Sequence, residues 1–139
     1  MGRLMADPNH MFLAFGGNTY MEHRVSVYRD PEFLAALDLV RGADAFFVNL
    51  EGCIVDGDEW PTFGSGMGWT GSYLGGKPWM VDELKFLGVS AIYAANNHVN
   101  DFGELGILST MKHLRNGGIE FAGIGASLAE AIEPCYVPT

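Results

Sequence analysis

The chain has 139 residues, enough for one domain with a sizeable core, and at 48% apolar and 18% charged residues it reads as folded rather than disordered. Seventeen acids against eight Lys and Arg give a formal charge of −9, which argues against sequence-independent nucleic-acid binding and against docking on anionic lipid. The two cysteines, Cys53 and Cys135, form no CxxC or Cys/His cluster, so zinc-finger and thioredoxin readings fall away, and two small buried residues or a disulfide remain.

The start, Met1 to Pro8, lacks the apolar core of a secretion signal, and no run approaches a membrane span. Met11-Phe12-Leu13-Ala14-Phe15 is a short apolar run expected to be a buried strand, with Gly16-Gly17-Asn18 as the loop after it. Asp30-Pro31-Glu32 supplies an N-cap, a proline for the first helical position and a first-turn acid. A helix through Phe33, Leu34, Leu37 and Val40, ended by Gly42, follows from the spacing. Residues 44–50 form the second strand, with Glu51 at its carboxyl end.

Residues 52–77 change character: glycines are frequent, aliphatics few, and Trp60, Phe63, Trp69 and Tyr73 are interspersed. So long a stretch without a clear pattern reads either as a cover over a ligand or as an ordered excursion packed on the domain. Pro78 opens a second helix whose Met80, Val81, Leu84 and Leu87 share a face, and Gly88 ends it. Val89 to Ala94 is the third strand. A third helix is expected from about Glu104 to Asn116, burying Leu105, Ile107, Leu108, Met111 and Leu114, with His113 on its surface. A short strand at 119–122, a helical turn at 127–132 and the start of a fifth strand at Tyr136-Val137 complete the order. Alternating strands and helices with right-handed crossovers predict an α/β fold, a mainly parallel sheet covered by helices on both faces.

The stretch Ala94-Ala95-Asn96-Asn97-His98-Val99-Asn100-Asp101 lies between a strand and a helix, where open α/β sheets bind ligands. Its side chains offer amide oxygens, an imidazole and a carboxylate, the donors of a metal site or an acid/base centre. Asn and Asp are also ordinary turn residues, so the stretch alone supports either reading. A nucleotide-binding reading fails because Gly16-Gly17 lacks the third glycine of that fingerprint.

Together with Asn49-Leu50-Glu51, Gly103, Gly106, Thr110, Leu114, Gly118-Ile119, Gly123-Ile124-Gly125 and Ala131 to Pro134, this stretch resembles the poly-γ-glutamate capsule-synthesis family, the CapA-like proteins, over nearly the whole chain. That family is similar in fold to calcineurin-like metallophosphoesterases, so residues 1–139 are expected to be one partial domain, the N-terminal portion of such a fold. The resemblance implies a divalent metal, Mn or Zn and as many as two ions, with Glu51, Asn97 and Asn18 as ligands. It implies His98 as the acid protonating a leaving group and Asp101 as the residue orienting it. Asn49, Asn96, Arg24 and Trp69 are the expected substrate contacts. A small phosphoester or an anionic polymer is the implied partner, and family members are typically associated with the cell envelope.

Two departures are visible. The family has Gly-Asp after the first strand where this chain has Gly16-Gly17, and nothing here corresponds to the family's later histidine-bearing strands. A metal-dependent hydrolase and a non-catalytic polymer-binding component are the two competing functions. Expressed alone, the chain is expected to self-associate through a sheet left unpaired or uncovered.

Overall fold

The computed structural model describes residues 10–62 and 72–138. It is an α/β fold whose main sheet has four parallel strands. These are β1 (Leu13–Thr19), β2 (Ala45–Leu50), β5 (Ala91–Tyr93) and β6 (Glu120–Ala122), in the order β1-β2-β5-β6. A parallel pair of two-residue strands, β3 (Cys53–Ile54) and β4 (Gly75–Gly76), stands beside it. The helices are α1 (Pro31–Arg41), α2 (Met80–Leu87), α3 (Gly103–Gly117) and the short α4 (Leu128–Ala131).

The helix boundaries follow local chemistry. Asp30 caps α1, its Oδ1 accepting from the backbone N–H groups of Glu32 and Phe33. Gly88 ends α2 and Gly118 ends α3, both in the left-handed region at φ +83° and +68°. On the sheet, Phe46, Val48, Leu50 and Ile92 meet Met80, Val81 and Leu84 of α2 and Met111 and Leu114 of α3 in one hydrophobic cluster. Val40 of α1 packs on the same cluster.

Among the described residues, α1, α2 and α3 do not cover both faces as expected. The sheet adds each new strand on the same side of the last, and right-handed crossovers then put α1, α2 and α3 on one face. The residues that register side by side on the other face, Leu13, Phe15, Phe47 and Tyr93 among them, lie outside the core cluster.

Three local expectations also need correcting. Gly16-Gly17 is not the loop after the first strand but a bulge within it, because pairing resumes at Asn18 opposite Asn49 and Thr19 opposite Leu50. Gly75 and Gly76 are glycines of close approach: a Cβ on Gly76 would sit 2.0 Å from the Met80 sulfur, and one on Gly75 2.6 Å from the Phe102 ring. On α3, Leu105 and Leu108 face outward at 66% and 38% exposure. The helix instead seats Gly106 and Thr110 against β3, where Thr110 Oγ1 accepts from the Ile54 N–H at 2.8 Å. Tyr136-Val137 forms no strand, and Tyr136 is exposed. Cys53 is buried, Cys135 is half-buried, and both thiols are free.

Candidate functional site

The carboxyl ends of β2 and β5 bring the polar residues of two separate sequence stretches together. Asn49 is the last-but-one residue of β2. Glu51 follows the strand, its N–H still bonded to the Thr19 carbonyl at 3.0 Å. The chain then turns through Gly52 at φ +96°, where an added Cβ would lie 2.3 Å from the Leu74 carbonyl oxygen. Only glycine fits that turn, and it fixes where Glu51 leaves the strand.

The loop after β5 is folded by its own side chains. Asn96 Oδ1 accepts from the His98 N–H at 2.9 Å, a local turn that presents the His98 ring. Asn96 Nδ2 donates to the Leu50 carbonyl at 2.7 Å and to Asn49 Oδ1 at 3.0 Å, tying this loop to the end of β2. Asn49 Nδ2 in turn donates to Glu51 Oε2 at 2.7 Å and to Asn18 Oδ1 at 2.9 Å. One amide thus connects three strand ends.

His98, 7% exposed, lies between two carboxylates. Its Nδ1 is 2.7 Å from Asp101 Oδ2 and its Nε2 is 3.8 Å from Glu51 Oε1. An ionised carboxylate only accepts, so Nδ1 carries the hydrogen in the bond to Asp101, leaving Nε2 as the working nitrogen. Asp101 is fully buried, and the same Oδ2 also accepts from the Leu74 N–H at 2.8 Å, while Oδ1 has no hydrogen-bond partner. The Asp101 carbonyl accepts from the Thr62 N–H at 2.7 Å. Beneath the loop the Cys53 thiol donates to the Val99 carbonyl at 3.2 Å. Burial, with the Asp101 carboxylate adding to it, pushes that thiol up to about 11, so it stays protonated and inert near neutral pH.

Asn18, Asn49, Glu51, Asn96, His98 and Asp101 therefore form one connected network. Asn97 stands exposed within the same loop. Arg24 belongs to another cluster: it donates to Glu83 at 2.9 Å, lies 3.7 Å from Asp82 and covers the Trp79 ring at 5.2 Å. Trp69 lies outside the described residues. The amides of Thr62 and Leu74, which hold Asp101, were not among the expected residues, because a backbone N–H leaves no mark in the sequence.

Among the described residues, no group of three or more His, Cys, Asp and Glu side chains is placed to hold a metal ion. The expected ligands supply the Glu51 carboxylate and the amide oxygens of Asn18, joined to Glu51 through Asn49, and of the exposed Asn97. They suit an oxygen-preferring divalent ion in kind, as part of the six or more ligands such an ion takes. Among the described residues no helix is long and apolar enough to cross a membrane.

Residues 12–139 match the family described as bacterial capsule synthesis protein PGA_cap, and the chain belongs to that family. Two proteins of Sinorhizobium fredii (strain NBRC 101917 / NGR234), the uncharacterized proteins y4sH and y4uA, are each 31% identical to it over 120 residues, covering 83% of this chain and 25% of theirs. The chain spans about a quarter of the length of these curated relatives.

Proposed function

We propose that this capsule-synthesis family chain carries the acid/base part of a metal-dependent hydrolase centre acting on a phosphoester or a related bond. The observation that carries the reading is the His98 ring, held at Nδ1 by buried Asp101 and directed at Glu51 through Nε2. A histidine so oriented can hold a proton at Nε2 and deliver it to a leaving oxygen, while Asp101 fixes the ring. Glu51 and Asn97, with Asn18 beside them, would hold the divalent ion. When bound, such an ion supplies charge stabilisation for the oxygens of an in-line displacement. Asn49 and Asn96 keep Glu51 and His98 in register through amide groups already engaged within the network.

A second reading, a non-catalytic component that engages an anionic capsule polymer, draws support from Gly17. That position carries no carboxylate, and an added Cβ there would meet nothing within 4 Å.

Titration of the purified chain with Mn²⁺ and Zn²⁺, native against Glu51→Gln, followed by an assay on bis(p-nitrophenyl) phosphate, separates the two. Metal affinity that falls at least tenfold in Glu51→Gln, with turnover abolished in a folded His98→Ala, is the expected result. Binding unchanged by Glu51→Gln would overturn the assignment of that ligand. Metal binding without turnover would favour the polymer-engaging reading.

A further inference from the structure

We propose that Cys53 is a positioning residue for the His98 acid, its thiol and its backbone N–H bracing the two sides of the His98–Asp101 pair; the inference rests on the acid/base reading above. Cys53 is the first residue of β3, two residues past Glu51, and is 2% exposed. Two of its groups reach the loop after β5 by separate routes. The thiol donates to the Val99 carbonyl at 3.2 Å, with the His98 carbonyl 3.8 Å from the same sulfur, so it braces the backbone that carries the ring. The Cys53 N–H donates to the Leu74 carbonyl at 2.9 Å, and the Leu74 N–H donates to Asp101 Oδ2 at 2.8 Å, the oxygen that also holds His98 Nδ1. The two routes close a ring through Cys53, Leu74, Asp101, His98 and Val99. A reacting group keeps its geometry when the hydrogen bonds behind it are themselves locked in this way.

The seat of β3 is fixed as well. Thr110 Oγ1 accepts from the Ile54 N–H and donates to the Gly106 carbonyl at 2.7 Å, clamping the strand to α3, and a Cβ on Gly106 would lie 3.3 Å from the Cys53 sulfur. Sulfur thus fills the space between β3, α3 and the His98 loop. Burial and the Asp101 carboxylate keep the thiol protonated near neutral pH, so the donor is present where the acid works. Glu51 and His98 Nε2, 3.8 Å apart, come from different strands. Cys53 is covalently close to the first and hydrogen-bonded to the loop of the second, and so helps set their separation.

Alanine and serine have nearly equal volumes and differ in the donor, so Cys53→Ala against Cys53→Ser separates the hydrogen bond from packing. Nitrogen NMR of the chain reads solvent exchange of the His98 Nδ1 hydrogen. Exchange should quicken about fivefold or more in Cys53→Ala, the scale of one lost hydrogen bond, and stay within about twofold of native in Cys53→Ser. On bis(p-nitrophenyl) phosphate, kcat should fall about tenfold in Cys53→Ala with KM held, and recover in Cys53→Ser. Far-UV circular dichroism checks folding, and if Cys53→Ala fails to fold, Cys53→Val against Cys53→Thr gives the same contrast at larger volume. Native exchange in a folded variant without the donor, or a change in the hydroxyl variant as large as in its apolar counterpart, would overturn the proposal. A native chain without turnover fails the hydrolase reading, while the exchange comparison by itself confirms or overturns the role of Cys53.

Discussion

Among the described residues two carboxylates lie fully buried, and they are held in opposite ways. Glu83, on α2, is 1% exposed and ringed by fixed donors: the Arg24 guanidinium and the Ser26 hydroxyl at 2.9 Å on Oε1, and the Ser26 N–H at 2.7 Å on Oε2. Burial pushes its carboxyl up, but the Ser26 N–H, the Ser26 hydroxyl and the Arg24 guanidinium together outweigh it and hold the group below the usual carboxylate range. Asp101 gathers its donors on one oxygen, leaves the other without a partner, and has a titratable imidazole as its closest contact. The first arrangement fixes a segment in place. The second fixes the orientation of a ring.

The largest expected effect comes from breaking the saturated ring. Glu83→Ala leaves the Ser26 N–H and hydroxyl without their acceptor and takes one of Arg24's two carboxylate partners, and should cost about 2–3 kcal/mol in urea unfolding. A loss below about 1 kcal/mol, the scale of an ordinary exposed pair, would mean that Glu83 is no lock and that the contrast fails. Asp101→Ala comes next, at about 1–3 kcal/mol for the Leu74 N–H and His98 Nδ1 left without an acceptor. Its sharper readout is nitrogen NMR of the His98 ring, where the hydrogen should no longer be confined to Nδ1.

Acid sharpens the comparison further. The folded Glu83 carboxyl sits below its ordinary value. Its contribution is therefore fully present above the unfolded pKa of about 4.3 and is lost as pH falls through the lower folded value. The stability difference between the native chain and Glu83→Gln should be constant from neutral pH to about pH 5 and shrink below about pH 4. A difference that grows with acid would reverse the sign of the argument. The smallest effect belongs to Asn97, exposed in the loop: Asn97→Ala should leave stability within about 0.5 kcal/mol, so any loss of Mn²⁺ affinity in that variant reads its amide oxygen alone.

Five of the six network members were legible because they sit in two short motifs, residues 49–51 and 96–101, each placed by a strand that ends in a polar turn, while Asn18 lies apart in β1. The one-sided sheet was not. Ala45-Phe46-Phe47-Val48 is apolar in both phases of a two-residue alternation, so the sequence of β2 does not reveal which face a helix will cover. Strand order decides that, and strand order is a property of distant pairings. Leu105 and Leu108 misled for a related reason: α3 turns its small residues inward because β3 approaches it closely, and that strand was hidden in a glycine-rich stretch. The sequence of residues 52–77 left a cover and an ordered excursion both open, and at 75 and 76 glycine marks backbone packed too tightly for a side chain.

The two amides that grip Asp101 have a consequence for how this chain tolerates change. Thr62 bonds to the Asp101 carbonyl and Leu74 to its carboxylate, so two distant backbone positions are anchored to the residue that orients His98. A change at either anchor is therefore felt at the ring. Leu74→Pro has the most direct effect, because it removes the N–H from which the Asp101 carboxylate accepts.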